Sequence, residues 1–439
     1  MFEHKPKHVI YLIHGIGGNK THFGHMVPAL RRTLHKKDPS TKYVIKNVIY
    51  ETGHDEKTSY DFAKDLASEI NRLIQSSRFK EDDKFSLIMH SQGGLVGAIW
   101  MFQSLLENPE YSPKKAVDHL DAFITLGTPF WGAKIATWGS QMKTLTKQVG
   151  VKIPVPFGQK ELEEMSFGSD TIFDFRQALI EPQYRPQIEY LRSRVRFLNV
   201  VGVADAFNPL GIFVSGVDKY EDDGAVPMAS ARFNFLYSQS IKADYDANDR
   251  VRLENMQEVT LAPYVVVNAL HVSPVPEMAN FSGIAQIPKN CIKNENYIHP
   301  TFSYIWKHIL GYPVEQVDKK LGDFKTVLID INIRIDHQQT LHNDDLKIEF
   351  RSLDGSGLSG SNIEISNAFE LYSKGNRRSS GNTNHWRYYY TGHIKRQLDN
   401  RKETLLMVVS KNGYKSRLFE IEIKTACSTF VDLNLIPDR

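Results

Sequence analysis

Phe85-Ser86-Leu87-Ile88-Met89-His90-Ser91-Gln92-Gly93-Gly94 is the stretch on which the reading of this chain turns. Phe85 to Met89 form a strand-like apolar run, and the run stops in His-Ser-Gln-Gly-Gly. Leu95, Val96, Ile99, Trp100, Phe102, Leu105 and Leu106 then follow at helical spacing. A serine at the corner between strand and helix has its hydroxyl lifted above the sheet. Such a corner has little room two residues past the serine, where Gly93 stands. The amide of Gln92 would face a substrate oxygen, and the helix N-terminus would add positive potential where an oxyanion develops. One position departs from the usual Gly-x-Ser-x-Gly: Met89 replaces the first glycine, and its long side chain needs room made for it. A capping serine before a buried helix gives the same Ser-x-Gly string, so the stretch alone leaves both readings open.

Upstream, Val9 to Ile13 is a short, almost wholly apolar run, the pattern of a parallel strand buried on both faces. It enters His14-Gly15-Ile16-Gly17-Gly18, a turn whose backbone amides can approach a ligand closely. The spacing matches neither a P-loop nor a dinucleotide fingerprint. Helix-like segments at 21–37 and 58–76 flank a strand at 43–49. Downstream, Asp121 to Leu126 is another strand, ending in Gly127-Thr128-Pro129-Phe130-Trp131-Gly132. Alternating strands and helices predict a mostly parallel α/β sheet with right-handed crossovers.

Three segments in this order, His14 to Gly18, His90 to Gly94 and Leu126 to Gly132, resemble the α/β-hydrolase superfamily on its lipase side. The last is similar to the Gly-Thr-Pro-x-x-Gly loop of bacterial lipases, lecithin-cholesterol acyltransferase-like proteins and GPI-inositol deacylases. The resemblance covers Val9 to about Gly311, with a divergent middle. It implies Ser91 as nucleophile and the amides of Ile16 and Gln92 as the oxyanion hole. Asp223, opening Asp-Gly-Ala-Val-Pro, is the first candidate for the acid; Asp205 ranks below it and Asp222 third. His271, at the end of the apolar run 264–270, is the candidate base, with His299 of Ile298-His299-Pro300 as the rival. Order Ser, Asp, His is the hydrolase order. His90 reads as a pocket or packing residue. Residues 134–194 stand where the family carries a cap or lid; their apolar residues suit either a lipid-facing lid or ordinary packing.

A composition shift follows Gly311-Tyr312-Pro313, and from Phe324 onward the helical patterns stop. Val327, Ile329, Ile331, Ile333 and Ile335 alternate with Leu328, Asp330, Asn332 and Arg334, and similar alternation recurs at 346–350 and 419–423. This predicts a C-terminal antiparallel β-sandwich over about 322–439, behind a catalytic unit of 1–315. Arg377, Arg378, Trp386, Arg387 and Tyr388 to Tyr390 form a basic-aromatic cluster there, read as a half-buried strand or as a contact for anionic lipid head groups.

With 54 Lys+Arg against 51 Asp+Glu and a net charge of +3, no nucleic-acid partner is expected. Cys291 and Cys427 make neither a disulfide framework nor a zinc motif, and whether they are bridged stays open. No metal or organic cofactor is expected; Asp205, Asp222 and Asp223 lack the spacing of a calcium loop. Met1 to His8 lead straight into a strand and no run has membrane-span length. A soluble protein is expected, cytoplasmic or exported by a route without a cleaved signal. The sequence thus predicts a serine hydrolase of lipid esters, of lipase, phospholipase A or lysophospholipase type. A membrane surface would be met through the cap or the C-terminal part. A non-catalytic binding module on the same fold, or an acyltransferase with the same triad, is the alternative; oligomeric state stays open.

Overall fold

The computed structural model describes residues 5–133, 136, 158–204, 221–239, 250–252, 254–273, 282–293, 299–314, 324, 326–335, 346–351, 363–366, 376–379, 385–394 and 402–437. Asp205, most of 134–157 and the 315–322 boundary lie outside them.

The first half builds one parallel sheet from β1 (Lys7–Ile13), β2 (Lys42–Val48), β3 (Lys84–His90), β4 (Leu120–Leu126), β5 (Arg196–Gly202) and a late strand, Tyr264–Val267, in the order β2-β1-β3-β4-β5-late strand. All five pairings are parallel. Because side chains alternate along a strand, each apolar run serves two cores. Ile10, Leu12, Ile88, Ile124 and Leu198 pack with Leu30 and Leu34 of α1 (Met26–Lys37) and with Ile305 and Ile309 of a C-proximal helix, Phe302–Ile309. Val9, Tyr11, Leu87, Met89 and Phe123 pack on the other face with Phe62, Leu66 and Ile70 of α2 (Ser59–Ile74) and with α3 (Gln92–Leu105). Each such fully buried Leu, Ile or Phe contributes about 1.5–3 kcal/mol. α2 starts at a capping box, in which Thr58 and Asp61 each satisfy the other's backbone amide.

The segment after β4 contributes α4 (Gln159–Met165), α5 (Asp170–Ile180) and α6 (Arg185–Arg194), the last leading directly into β5. Glu161 and Glu164 tie α4 to the loop before α2 and to its first residue: Glu161 Oε1 accepts from Gly53 N–H (2.8 Å) and Glu164 Oε2 from Ser59 N–H (2.6 Å).

The C-terminal strands form two further sheets. The remaining strands are β6 (Phe235–Gln239), β7 (Arg250–Arg252), β8 (Glu254–Val259), β9 (the late strand Tyr264–Val267), β10 (Thr326–Ile335), β11 (Lys347–Arg351), β12 (Ile363–Ser366), β13 (Asn376–Ser379), β14 (His385–Ile394), β15 (Lys402–Lys411), β16 (Tyr414–Lys424) and β17 (Cys427–Leu435). One sheet runs β12-β14-β10-β17-β6-β8, with β13 on β14; the other runs β11-β15-β16-β7. Val327, Ile329, Ile331 and Ile333 face Leu405, Met407, Val409, Phe419 and Ile421 in a core of their own, the sandwich expected from the alternation. Two features go beyond that expectation. The sheets include parallel joins (β10 with β17, β17 with β6, β16 with β7), and they recruit β6, β7 and β8 from residues 235–259.

The other face of β10 is buried as well. Leu328 joins the core beneath the parallel sheet, and Asp330 receives Arg176 of α5 (Nη1 to Oδ2, 2.6 Å). Arg176 Nη2 also donates to Ser428 Oγ at 2.9 Å, and the guanidinium lies 4.2 Å from the Trp131 ring centroid. Arg387 repeats the pattern: it pairs with Asp170 at 2.6 Å and sits 3.7 Å from the Phe173 ring centroid. Arg387 and Tyr388 of the basic-aromatic cluster are therefore buried. Cys427 is a buried free thiol, so the two cysteines are not bridged. Among the described residues, no helix is long and apolar enough to cross a membrane, and no group of three or more His, Cys, Asp or Glu is placed to hold a metal ion.

Candidate active site

β3 runs directly into α3, and Ser91 between them takes φ 56° and ψ −128°. Only glycine adopts such angles freely, so the flanking strand and helix impose them. Gly93 is required by contact: a Cβ there would stand 2.6 Å from the carbonyl oxygens of Ile13 and His14. Met89 finds its room at Gly97 of α3, where a Cβ would stand 2.1 Å from the Met89 sulfur. The glycine missing before Ser91 is thus replaced by one on the facing helix.

Asp223 lies in the 221–227 turn that follows β5. Its Oδ1 accepts from Ala225 N–H (3.1 Å) and Val226 N–H (2.8 Å), which leaves Oδ2 to receive His271 Nδ1 at 2.7 Å. His271 follows β9, and its amide donates to the Asp223 carbonyl at 2.7 Å. Its Nε2 stands 2.9 Å from Ser91 Oγ. The three side chains therefore form one line, carboxylate to imidazole to hydroxyl, with Asp223 buried and His271 slightly open. Asp222 instead accepts from Gly224 N–H at 2.8 Å, an Asx turn that shapes the segment.

The amides of Ile16 and Gln92 have no acceptor among the described residues. Ile16 borders the cavity that holds Ser91. Its loop is fixed by Gly17 N–H to Thr52 Oγ1 (2.9 Å), by Tyr50 Oη donating to the His14 carbonyl, and by the His14 ring stacked on Tyr50 at 4.4 Å. The cavity has a volume of about 320 Å³. Its walls are Ile16, Pro129, Ala133, Ala136, Leu162 and Met165, the last two from α4, and His22, His90, Ser91 and His271 supply its polar side.

Residues 3–163 match the sequence pattern of a family described as "Putative serine esterase (DUF676)". A comparison with curated protein sequences returns no match. Among solved structures, phospholipase PlaB from Legionella pneumophila is similar at a TM-score of 0.67 and 14% identity, covering 98% of this chain and 93% of that one. The same phospholipase in complex with thio-NAD gives 0.66 at 14% identity, again covering 98% and 93%. The propeptide form of the Bacillus licheniformis lipase BlEst2 gives 0.43 at 12% identity, covering 96% and 94%. The chain has an α/β-hydrolase fold.

In this α/β-hydrolase fold, His299 is held apart from the line of three. It is buried before the Phe302–Ile309 helix, its Nδ1 accepts from Thr301 N–H at 3.2 Å, and burial pulls its pKa down to about 4. It does not border the Ser91 cavity. Besides His271, two further histidines do: His90, expected as a pocket or packing residue, and His22, which the sequence did not single out. His22 Nε2 is 2.6 Å from His90 Nδ1, and the His90 ring centroid is 4.6 Å from that of His271. Burial lowers both, His22 to about 4 and His90 well below the ordinary range. Nothing in Thr21-His22-Phe23 separates His22 from any solvated histidine, because its partner is 68 residues away.

Proposed function

We propose that the protein is a serine hydrolase of lipid carboxylic esters, with Ser91, His271 and Asp223 as its triad. The hydrogen-bonded line at 2.9 and 2.7 Å, ending on a serine in a strained corner, carries the reading. His271 Nε2 accepts the Ser91 proton as Oγ attacks the ester carbonyl. Asp223 holds the imidazole in the tautomer with a proton on Nδ1 and stabilises the imidazolium that follows. The Ile16 and Gln92 amides donate to the oxyanion. His271 then protonates the leaving alcohol, and water, activated in the same way, releases the acyl group from Ser91. Each step uses only groups of this chain and water.

The apolar walls from Ile16 to Met165 support an acyl chain as the group bound beside Ser91. The matched esterase family and a phospholipase of the same fold support a lipid ester as the substrate class. Phospholipase A or lysophospholipase action is the specific form proposed. Release of fatty acid from phosphatidylcholine vesicles and from p-nitrophenyl esters tests it. Wild-type protein is expected to release fatty acid, and Ser91→Ala to lose at least roughly 10³-fold in rate. Equal release by both proteins would refute the proposal.

A further inference from the structure

We propose that His22 and His90 act as a neutral, hydrogen-bonded imidazole pair that positions His271, a role that rests on the triad proposed above. The bond between His22 Nε2 and His90 Nδ1 (2.6 Å) holds a single proton, so the tautomer of one ring fixes that of the other. His90 Nε2 is buried with no partner among the described residues, and the His271 carbonyl lies beside the ring, where it favours a proton. We assign His22 as the donor to Nδ1, which leaves His90 its own proton on Nε2, on the ring edge nearest the His271 backbone. His90 then braces His271 through its ring, whose centroid is 4.6 Å from that of His271, and through its contact with the His271 backbone.

Neutrality is as important as the bond. Turnover places a positive charge on His271, and a second cation one ring away would oppose it. The titratable groups facing the pair are His14, His271 and, behind His271, Asp223. None of these offers the pair a carboxylate of its own, and both rings are desolvated, so each stays uncharged while His271 cycles. His22 and His90 are positioning residues: they act on the substrate through His271.

Three variants test the pair on full-length protein: His22→Phe, His22→Gln and Ser91→Ala. His22→Phe keeps an aromatic ring without a donor, whereas His22→Gln can still donate to His90 Nδ1. With a soluble p-nitrophenyl ester, His22→Phe is expected to lose roughly tenfold in kcat with KM within about twofold, and to slow fluorophosphonate labelling of Ser91 equally. His22→Gln is expected to recover most of both. Unchanged kcat in His22→Phe, or equal losses in Phe and Gln, would overturn the positioning role while an inactive Ser91→Ala left the triad standing. Activity retained in Ser91→Ala would overturn the triad and the positioning role with it. If His22→Phe fails to fold, His90→Leu takes its place with the same expectation and the same overturning result.

Discussion

Ser91 stores backbone strain, of order 1–3 kcal/mol, that the strand before it and the helix after it both maintain. Asp223 lies at the other end of the line and is fixed by two amides of its own turn. Asp223→Asn keeps that turn but offers His271 the wrong partner, so kcat for a soluble ester is expected to fall by roughly 10⁴ while the unfolding midpoint changes little. Met89 and Gly97 make a second pair to test. Gly97→Ala pushes a methyl into the Met89 sulfur and is expected to cost about 1–3 kcal/mol in urea unfolding, with part recovered when Met89→Val is added. At this scale the sequence was readable where residues sit close together. Ser91 with Gly93, and Asp223 with Gly224 to Pro227, are local patterns that carry their own geometry. Met89 read as a departure from the motif because its compensating glycine, Gly97, lies farther along, on the facing helix. His22 carried no signal at all, since a histidine pairing across 68 residues leaves no spacing to recognise.

Among the elements, α4 is held over the cavity by buried carboxyl groups. Burial raises Glu161 to about 7, and its Oε2 has no partner among the described residues. A carboxyl raised in the fold is bound as its neutral form: its contribution is complete below the unfolded value near 4.5 and is lost as pH rises through 7. Glu161→Gln keeps the acceptor for Gly53 N–H without the charge. Its thermal midpoint is expected to exceed wild type at pH 8 and to match it at pH 5; a gain of equal size at both would contradict this origin. The alternation along β10 was legible as a strand with one buried face. That its polar face is buried too was not, because Asp330 and Asn332 look like solvent-facing residues until Arg176 and Asp432 are brought to them by other elements. Arg176→Ala would leave Asp330 buried without its cation. A loss of about 3–5 kcal/mol is expected, larger than for Arg176→Ala combined with Asp330→Ala.

Across the whole molecule, the parallel sheet was predictable from apolar runs separated by helical patterns, whereas the joins between β17, β6 and β8 were not. Pairing between strands some 190 residues apart depends on tertiary placement, and periodicity reports only each strand's own faces. The consequence is testable. Leu328, Ala426 and Phe430 belong to the core under the parallel sheet, so removal of everything after residue 314 is expected to abolish soluble expression and activity on soluble esters alike. Buried histidines are expected to set the molecule's acid limit. His8 is lowered to about 3, and His22 and His299 to about 4, mainly by burial. Such groups stabilise the fold fully above the unfolded value of 6.5, and the contribution is lost as pH falls from there toward the folded values. Each adds a slope of about 1.4 kcal/mol per pH unit within that window. Unfolding free energy is expected to drop steeply between pH 6 and 4, as followed by urea titration at each pH.

The activated serine is tested most directly by fluorophosphonate labelling of the full chain followed by peptide mapping, with Ser91→Ala and His271→Ala as controls. The expected result is one modified peptide carrying the label on Ser91, absent in Ser91→Ala and strongly slowed in His271→Ala. A folded wild-type protein that stays unlabelled with lipid vesicles present, or that takes the label at another residue, would contradict it.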